Sequence, residues 1–158
     1  MTLPDPAGLV QSSRPAWIGP PQFIVQGPPV FVNPNVGFLS LGAPRAQIYR
    51  TTNEGETWRP IRMPPMGSGA GLEGFQWLTA EQGWVAVRQR QTVRLWQTRD
   101  GGAHWQALST LSLEGSLQFS STQDGWALIV PHPNAYGGPE ELVRTTDGGQ
   151  RWHIVSVR

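Results

Sequence analysis

The feature that most constrains the fold of this chain is an eight-residue sequence pattern that occurs three times. Its copies begin at Thr51, Thr98 and Thr145, so successive starts are 47 residues apart. A fixed period of this length is typical of architectures built from one repeated supersecondary unit. The residues expected to shape each copy are its first, third, fifth and eighth: Thr51, Asn53, Gly55 and Trp58; Thr98, Asp100, Gly102 and Trp105; Thr145, Asp147, Gly149 and Trp152.

The local chemistry of this pattern, called the turn motif below, indicates a tight turn between two strands. An Asp or Asn side chain bonds backbone N–H groups a few residues ahead, and the glycines tolerate the positive φ that such a turn requires. The closing tryptophan supplies a large apolar body that pins the hairpin against a neighbouring sheet. We therefore expect these residues to serve the fold, with Trp58, Trp105 and Trp152 at the start of a strand.

Each period holds four short β-rich runs, and no apolar pattern of helical spacing extends beyond one turn. The sequence therefore predicts an all-β fold of three four-stranded antiparallel sheets. The predicted strands are Val30–Val32, Gly37–Leu41, Gln47–Thr51 and Thr57–Arg62; Phe75–Leu78, Gly83–Arg88, Val93–Thr98 and His104–Leu108; Leu117–Ser120, Gly125–Val130, Leu142–Thr145 and Trp152–Val157.

A second landmark recurs in every period, because an aromatic residue precedes a Gly-aromatic pair by six positions. The triplets are Phe31/Gly37/Phe38, Trp77/Gly83/Trp84 and Phe119/Gly125/Trp126. We expect the glycine to serve a tight turn into the second strand and the aromatic rings to fill the space between sheets. The predicted organisation is a Pro-rich arm at 1–28 and a repeat unit at 29–158, with repeats at about 29–66, 73–112 and 115–158.

Composition excludes several classes of function. The net charge is +1 with 15% charged residues, and all 12 basic residues are Arg, so no excess charge favours a nucleic-acid partner. There is no Cys, the three His residues have no metal-ligand spacing, and no phosphate-binding Gly loop precedes a helix. We therefore predict no cofactor and no metal. Neither a membrane span nor a signal peptide is expected in this chain.

The three turn motifs resemble Asp boxes, the Ser/Thr-x-Asp-x-Gly-x-Thr-Trp repeats of bacterial neuraminidase-type (BNR-repeat) β-propellers. With the Gly-Trp landmark, the pattern is most similar to Ycf48-like photosystem II assembly factors and related bacterial proteins, over about residues 29–158. Asn53 replaces the Asp of the first box, and His104 and Arg151 replace the Thr before Trp. The resemblance implies one four-stranded blade per period and makes an extracytoplasmic location plausible, although the compartment stays open.

Three blades are too few for a ring, because closed propellers usually have about four to eight. An open arc would expose apolar faces, which we expect to be lined by residues such as Phe38, Trp84, Trp96 and Trp126. The chain is therefore either part of a longer propeller or half of a six-bladed ring closed by a homodimer. We favour the homodimer, since repeat units bury their core on neighbouring units.

For function, the sequence favours a non-enzymatic module that binds a protein or a glycan through the loops at 42–46, 63–74, 88–93, 109–116 and 131–140. The candidate ligand contacts are Arg88, Arg90, His132, Asn134 and Tyr136. A glycoside hydrolase is the rival reading, with a carboxylate pair formed across subunits. Its candidate acids are Glu73, Glu114, Glu140 and Glu141. A purely structural subunit is the third.

Overall fold

The computed structural model describes residues 27–42, 46–130 and 140–156, so most of the predicted arm lies outside the described residues. Within those ranges the chain forms three four-stranded antiparallel sheets and no helix. The all-β prediction is confirmed. The strands are β1 Val30–Phe31, β2 Gly37–Leu41, β3 Gln47–Thr51 and β4 Arg59–Pro60; β5 Gly71–Trp77, β6 Gly83–Gln89, β7 Thr92–Thr98 and β8 Gln106–Leu111; β9 Leu113–Phe119, β10 Gly125–Ile129, β11 Glu141–Thr145 and β12 His153–Ile154.

Each sheet is a meander in which every strand pairs with the next one along the chain. The turn motifs join the third and fourth strands, so they lie at one end of the sheets, here called the turn end. The opposite end, called the loop end, holds the connections between second and third strands and the links from one sheet to the next. The first strands β5 and β9 contact each other, which places them innermost.

Several predicted boundaries are wrong. The fourth strands begin one residue after each motif tryptophan, so Trp58, Trp105 and Trp152 precede these strands instead of opening them. The predicted loop at 109–116 is almost entirely strand, because β8 and β9 are separated by Ser112 alone. The loop predicted at 63–74 ends earlier, at the start of β5, and the one at 88–93 is reduced to Arg90–Gln91.

The landmark glycines make room for a ring. In all three sheets the glycine pairs with the aromatic residue that ends the first strand, as Gly83 pairs with Trp77. A Cβ on Gly83 would lie 2.5 Å from the Trp77 ring, and one on Gly125 would lie 2.6 Å from the Phe119 ring. The φ angles of these glycines are not positive, so the prediction that glycine serves a tight turn here is wrong. Glycine is needed because the aromatic ring lies flat over it.

The two interfaces between sheets use the same aromatic arrangement. Phe38 of the first sheet stacks on Trp77 of the second, with ring centroids 3.7 Å apart. Trp84 of the second sheet stacks on Phe119 of the third, with centroids 3.9 Å apart. Each pair is buried within an aliphatic cluster that continues the interface along the strands. The Trp77 and Phe119 rings are therefore each held between the glycine of their own sheet and the preceding sheet.

The outer faces of the first and third sheets differ from our expectation in one respect. Phe38 and Trp84 are fully buried between sheets and do not line an open face. Trp96 also packs at the inner interface, against the cluster of Phe38. The outer face of the first sheet carries Phe31, which is 43% exposed, with Trp58 against it, and that of the third sheet carries the half-buried Trp126. The described residues include no helix capable of crossing a membrane.

Candidate functional site

The turn motifs share one hydrogen-bond pattern centred on a threonine. In the third motif, Thr145 Oγ1 accepts hydrogen bonds from the N–H groups of Asp147 and Gly149, at 3.3 and 2.9 Å, and donates to Asp147 Oδ1 at 2.9 Å. Thr51 and Thr98 make the same three bonds in their motifs. All three threonines are buried. The motif thus satisfies its own backbone donors at a site closed to water.

The third residue of each motif caps the turn from its exposed side. Asp147 Oδ1 accepts from the backbone N–H of Arg151 at 2.9 Å, and Oδ2 accepts from the Arg151 guanidinium at 2.8 Å. The backbone bond, followed by the side-chain bond, lowers the pKa of Asp147 to about 2. Bonds from the backbone and imidazole of His104 likewise lower the pKa of Asp100 to about 2. Both acids are committed to the turn.

The motif tryptophans pack within their own sheets, and two of them also link their sheet to the preceding one. Each lies edge-to-face against the first-strand ring of its own sheet, with centroids 6.0 to 6.1 Å apart. Trp105 Nε1 donates to the carbonyl of Arg62 at 2.7 Å, and Trp152 Nε1 donates to Ser109 Oγ at 3.0 Å. Ser109 lies in β8, the last strand of the second sheet, and Arg62 lies two residues after β4, the last strand of the first sheet. At the turn end, therefore, the recurrent polar groups hold sheets together.

An open groove lies at the loop end. A depression of about 760 Å³ lies between the end of the first sheet and the link to β5. Its lining consists mainly of small residues and two methionines: Gly42, Ala46, Gln47, Met63, Pro64, Met66, Gly67, Ser68, Gly69, Ala70, Gly71 and Leu72. A second depression of about 450 Å³ shares Leu72 and continues past Glu73 and Ser40. The two depressions meet at Leu72, and the larger one is lined by the polarizable side chains of Met63 and Met66.

Arg88 and Glu73 form the charged pair beside this groove. Arg88 Nε and one Nη donate to the two carboxylate oxygens of Glu73 at 2.7 and 2.9 Å, and the same Nη donates to the carbonyl of Leu113 at 2.9 Å. These hydrogen bonds lower the pKa of Glu73. Glu73 is therefore an ionised carboxylate, and each of its oxygens accepts a hydrogen bond from Arg88. As a general acid it would have to carry a proton, which this pairing disfavours.

The other candidate site residues are scattered or lie outside the description. Arg90 is exposed in the two-residue β6–β7 turn, with φ of 59°. Glu140 is exposed, Glu141 begins β11, and Glu114 lies in β9. Three candidates lie outside the described residues: His132, Asn134 and Tyr136. In the described part of the chain, no three His, Asp or Glu side chains group so as to hold a metal ion.

No protein-family model and no curated protein matches the sequence. Solved structures do match the fold. A structure of YCF48 bound to D1 peptide has a TM-score of 0.58 at 19% identity, and YCF48 from Cyanidioschyzon merolae has 0.53 at 16%. The GH74 xyloglucanase from Xanthomonas campestris has 0.54 at 14%. The three sheets are blades of a β-propeller.

The matches cover most of this chain but only part of each neighbour. The two YCF48 comparisons cover 84% of this chain and 41% or 42% of the other. The xyloglucanase comparison covers 77% of this chain and 19% of that enzyme. At these identities the likeness shows the fold alone. Function must therefore come from the geometry of the residues described above.

One polar contact between blades was not predicted from the sequence. The amide of Gln76, in the first strand of the second blade, donates from Nε2 to the carbonyl of Phe119 at 2.7 Å and accepts from its N–H. A glutamine also precedes the landmark aromatic in the third blade, as Gln118. That shared position, one residue before the aromatic, was the available signal. The contact joins neighbouring first strands along the inside of the arc.

Proposed function

We propose that this chain is a non-enzymatic propeller module that binds an extended protein segment in the loop-end groove. The groove carries the proposal, because glycine-rich walls bring backbone N–H and carbonyl groups close to a ligand. Met63 and Met66 add side chains that adapt to varied apolar partners. A segment lying there would reach Arg88 at the far end. The YCF48 structure bound to D1 peptide supports a peptide as the ligand class.

The proposal includes the architecture expected from the sequence. The turn motifs act as Asp boxes, residues 29–158 form one three-blade unit after the arm at 1–28, and a second copy completes a six-bladed ring. Support comes from the apolar outer faces that two blades leave uncovered, with Phe31 on one and Trp126 on the other. In a ring, a binding groove would occur once per copy, so a bivalent partner would gain from avidity.

A glycan ligand, a hydrolase and a purely structural role are the competing functions. The neighbouring xyloglucanase fold motivates the hydrolase. Against it, Glu73 is held ionised by Arg88 through both oxygens, so it is a poor proton donor. The experiment below separates all four functions.

The purified chain is immobilised and screened with a phage-displayed library of random short peptides and, in parallel, with a glycan array. Ser68 lines the groove and is exposed, so Ser68→Arg should block it and weaken the selected peptides by about tenfold or more. Thr122→Arg is the matched control, because Thr122 is exposed at the turn end of the third blade. Binding should survive in that variant.

Each alternative has its own outcome. Peptides that bind equally well to both arginine variants would refute the groove. Selection of glycans alone would make the chain a lectin. Release of sugar from xyloglucan or sialosides, lost in a Glu73→Gln, Glu114→Gln, Glu140→Gln or Glu141→Gln variant, would make it a hydrolase. Silence in every assay would leave the structural role.

A further inference from the structure

Three side chains of the second blade, Trp84, Gln76 and Ser109, make contacts to the third blade that show what a blade needs from its neighbour. Trp84 stacks on Phe119, and its Nε1 donates to the carbonyl of Gly148 at 3.0 Å. The Gln76 amide bonds the backbone of Phe119. Ser109 Oγ accepts from Trp152 Nε1 and donates to the carbonyl of Gly149 at 2.6 Å.

The outer face of the third blade carries the same groups at the same positions. Trp126 follows the landmark glycine as Trp84 does, and Gln118 precedes the landmark aromatic as Gln76 does. Ser156 follows the motif tryptophan by four residues, as Ser109 does. Trp126 is half-buried, whereas Gln118 and Ser156 are exposed. A blade whose outer face met only solvent would need a polar cap, whereas this face carries the same groups as an inner interface.

The outer face of the first blade offers the matching half. Phe31 pairs with Gly37 in the register that Phe119 has with Gly125, so its ring is laid over the glycine with one face outward. Trp58 lies edge-to-face against Phe31, as Trp152 does against Phe119. A blade docked there would find a ring on which to stack and the indole N–H of Trp58 as a hydrogen-bond donor.

The two faces also carry opposite charges at positions whose equivalents meet at the inner interface between the first and second blades. The fourth residue of the second and third motifs is a glycine with positive φ, 71° at Gly101 and 75° at Gly148. The fourth residue of the first motif is Glu54, with φ of 59°. A Cβ on Gly101 would lie 2.6 Å from an Nη of Arg50, on the preceding blade. Arg144 is the third-blade residue equivalent to Arg50, because both precede the first threonine of a motif. The geometry thus directs an arginine at position 144 toward a glutamate at position 54.

We propose that two copies of this chain join head to tail, with Trp126 of each stacked on Phe31 of the other and Arg144 of each paired with Glu54 of the other. This pairing rests on the ring closure under Proposed function and specifies its register. One Nη of Arg144 donates to Asp124 Oδ1 at 2.8 Å, and the guanidinium lies over the Trp126 ring at 5.4 Å. Its other N–H groups are the donors to the partner's glutamate. Two head-to-tail contacts close one ring of two chains.

The test is an obligate-heterodimer experiment on the full chain. Light scattering should show wild-type particles of twice the chain mass. Glu54→Arg and Arg144→Glu each create two like-charged contacts per ring, so each variant alone should raise the dimer dissociation constant by about tenfold or more. When the two variants are mixed, both contacts in the mixed ring carry opposite charges. Native mass spectrometry should then show the heterodimer, at close to wild-type affinity.

The controls separate the two levels of the proposal. Arg99→Glu makes the same charge change as Arg144→Glu, but on an exposed turn residue of the middle blade. It should leave the dimer unchanged. Circular dichroism checks that each single variant is folded. A wild-type monomer would overturn both the ring and this pairing. A wild-type dimer that tolerates both variants, or variants that fail to recover on mixing, would overturn the pairing while leaving the ring in place.

Discussion

Because the Trp77 ring is held between Gly83 and the first blade, we expect Gly83→Ala to lower the stability of the protein. The added Cβ would lie 2.5 Å from Cδ2 and Cε3 of Trp77, whereas ordinary contact begins at 3.4 Å. The ring would have to retreat by nearly 1 Å. Phe38 blocks that movement, because its ring lies 3.7 Å away, is parallel to within 1° and is fully buried.

The expected cost follows from overpacking a core. Insertions of this kind destabilise by about 1 to 3 kcal/mol, and the blocked retreat places this site near the upper end. Alanine also restricts the unfolded chain, which returns about 0.5 kcal/mol. We expect a net loss of about 2.5 kcal/mol from the free energy of unfolding. For a chain of this size, that corresponds to a Tm lowered by about 5 to 10 °C.

The matched control is Gly74→Ala in the adjacent strand β5. Nothing lies within 4 Å of a Cβ at Gly74, and its φ is not positive. This variant should be neutral or more stable by about 0.5 kcal/mol. Both variants are compared with wild type by urea unfolding and thermal circular dichroism at one protein concentration. If Gly83→Ala and Gly74→Ala agree within about 0.5 kcal/mol, the ring-over-glycine explanation of the landmark is refuted.

Three further predictions concern hydrogen bonds. Thr145→Val should cost about 3 kcal/mol in urea unfolding, because it strands two N–H groups of a buried turn, whereas Thr146→Val on the exposed neighbour should change stability little. Trp84→Phe should lower stability by about 1.5 kcal/mol more than Trp77→Phe, since the Trp84 N–H has a buried carbonyl acceptor and the Trp77 N–H has no partner among the described residues. Equal losses would count against this. Finally, the lowered pKa of Asp147 means that its contribution to stability is complete above about pH 4 and is lost as the pH falls through about 2; Asp147→Asn should flatten the pH dependence of Tm over that window.

Sequence reasoning found the strands whose limits are marked by special residues. The limits of β2 and β3 match the prediction, because a landmark glycine begins one and a motif threonine ends the other. The fourth strands were mispredicted, since only two residues of β4 and of β12 pair with a neighbour. The Arg88–Glu73 pair could not be foreseen, because Glu73 is the extra residue of a bulge in β5 and local periodicity does not reveal bulges.

The constant period of 47 residues conceals where the blades differ. From motif tryptophan to the next landmark aromatic, the chain takes 19 residues between Trp58 and Trp77 but 14 between Trp105 and Phe119. The five missing residues return between the landmark glycine and the next motif, because β10 and β11 are separated by residues 130–140, whereas β6 and β7 are separated by Arg90–Gln91 alone.

These two changes of length occur at the same end of the blades. Links between blades and connections from second to third strand both lie at the loop end, whereas the turn end repeats its threonine, its capping residue and its tryptophan in every blade. Connections free to vary in length are those that the scaffold does not need, and binding residues concentrate there. The end that departs from the repeat is therefore the end at which a ligand should be sought, and the long link at 61–70, which walls the groove, is the first place to test.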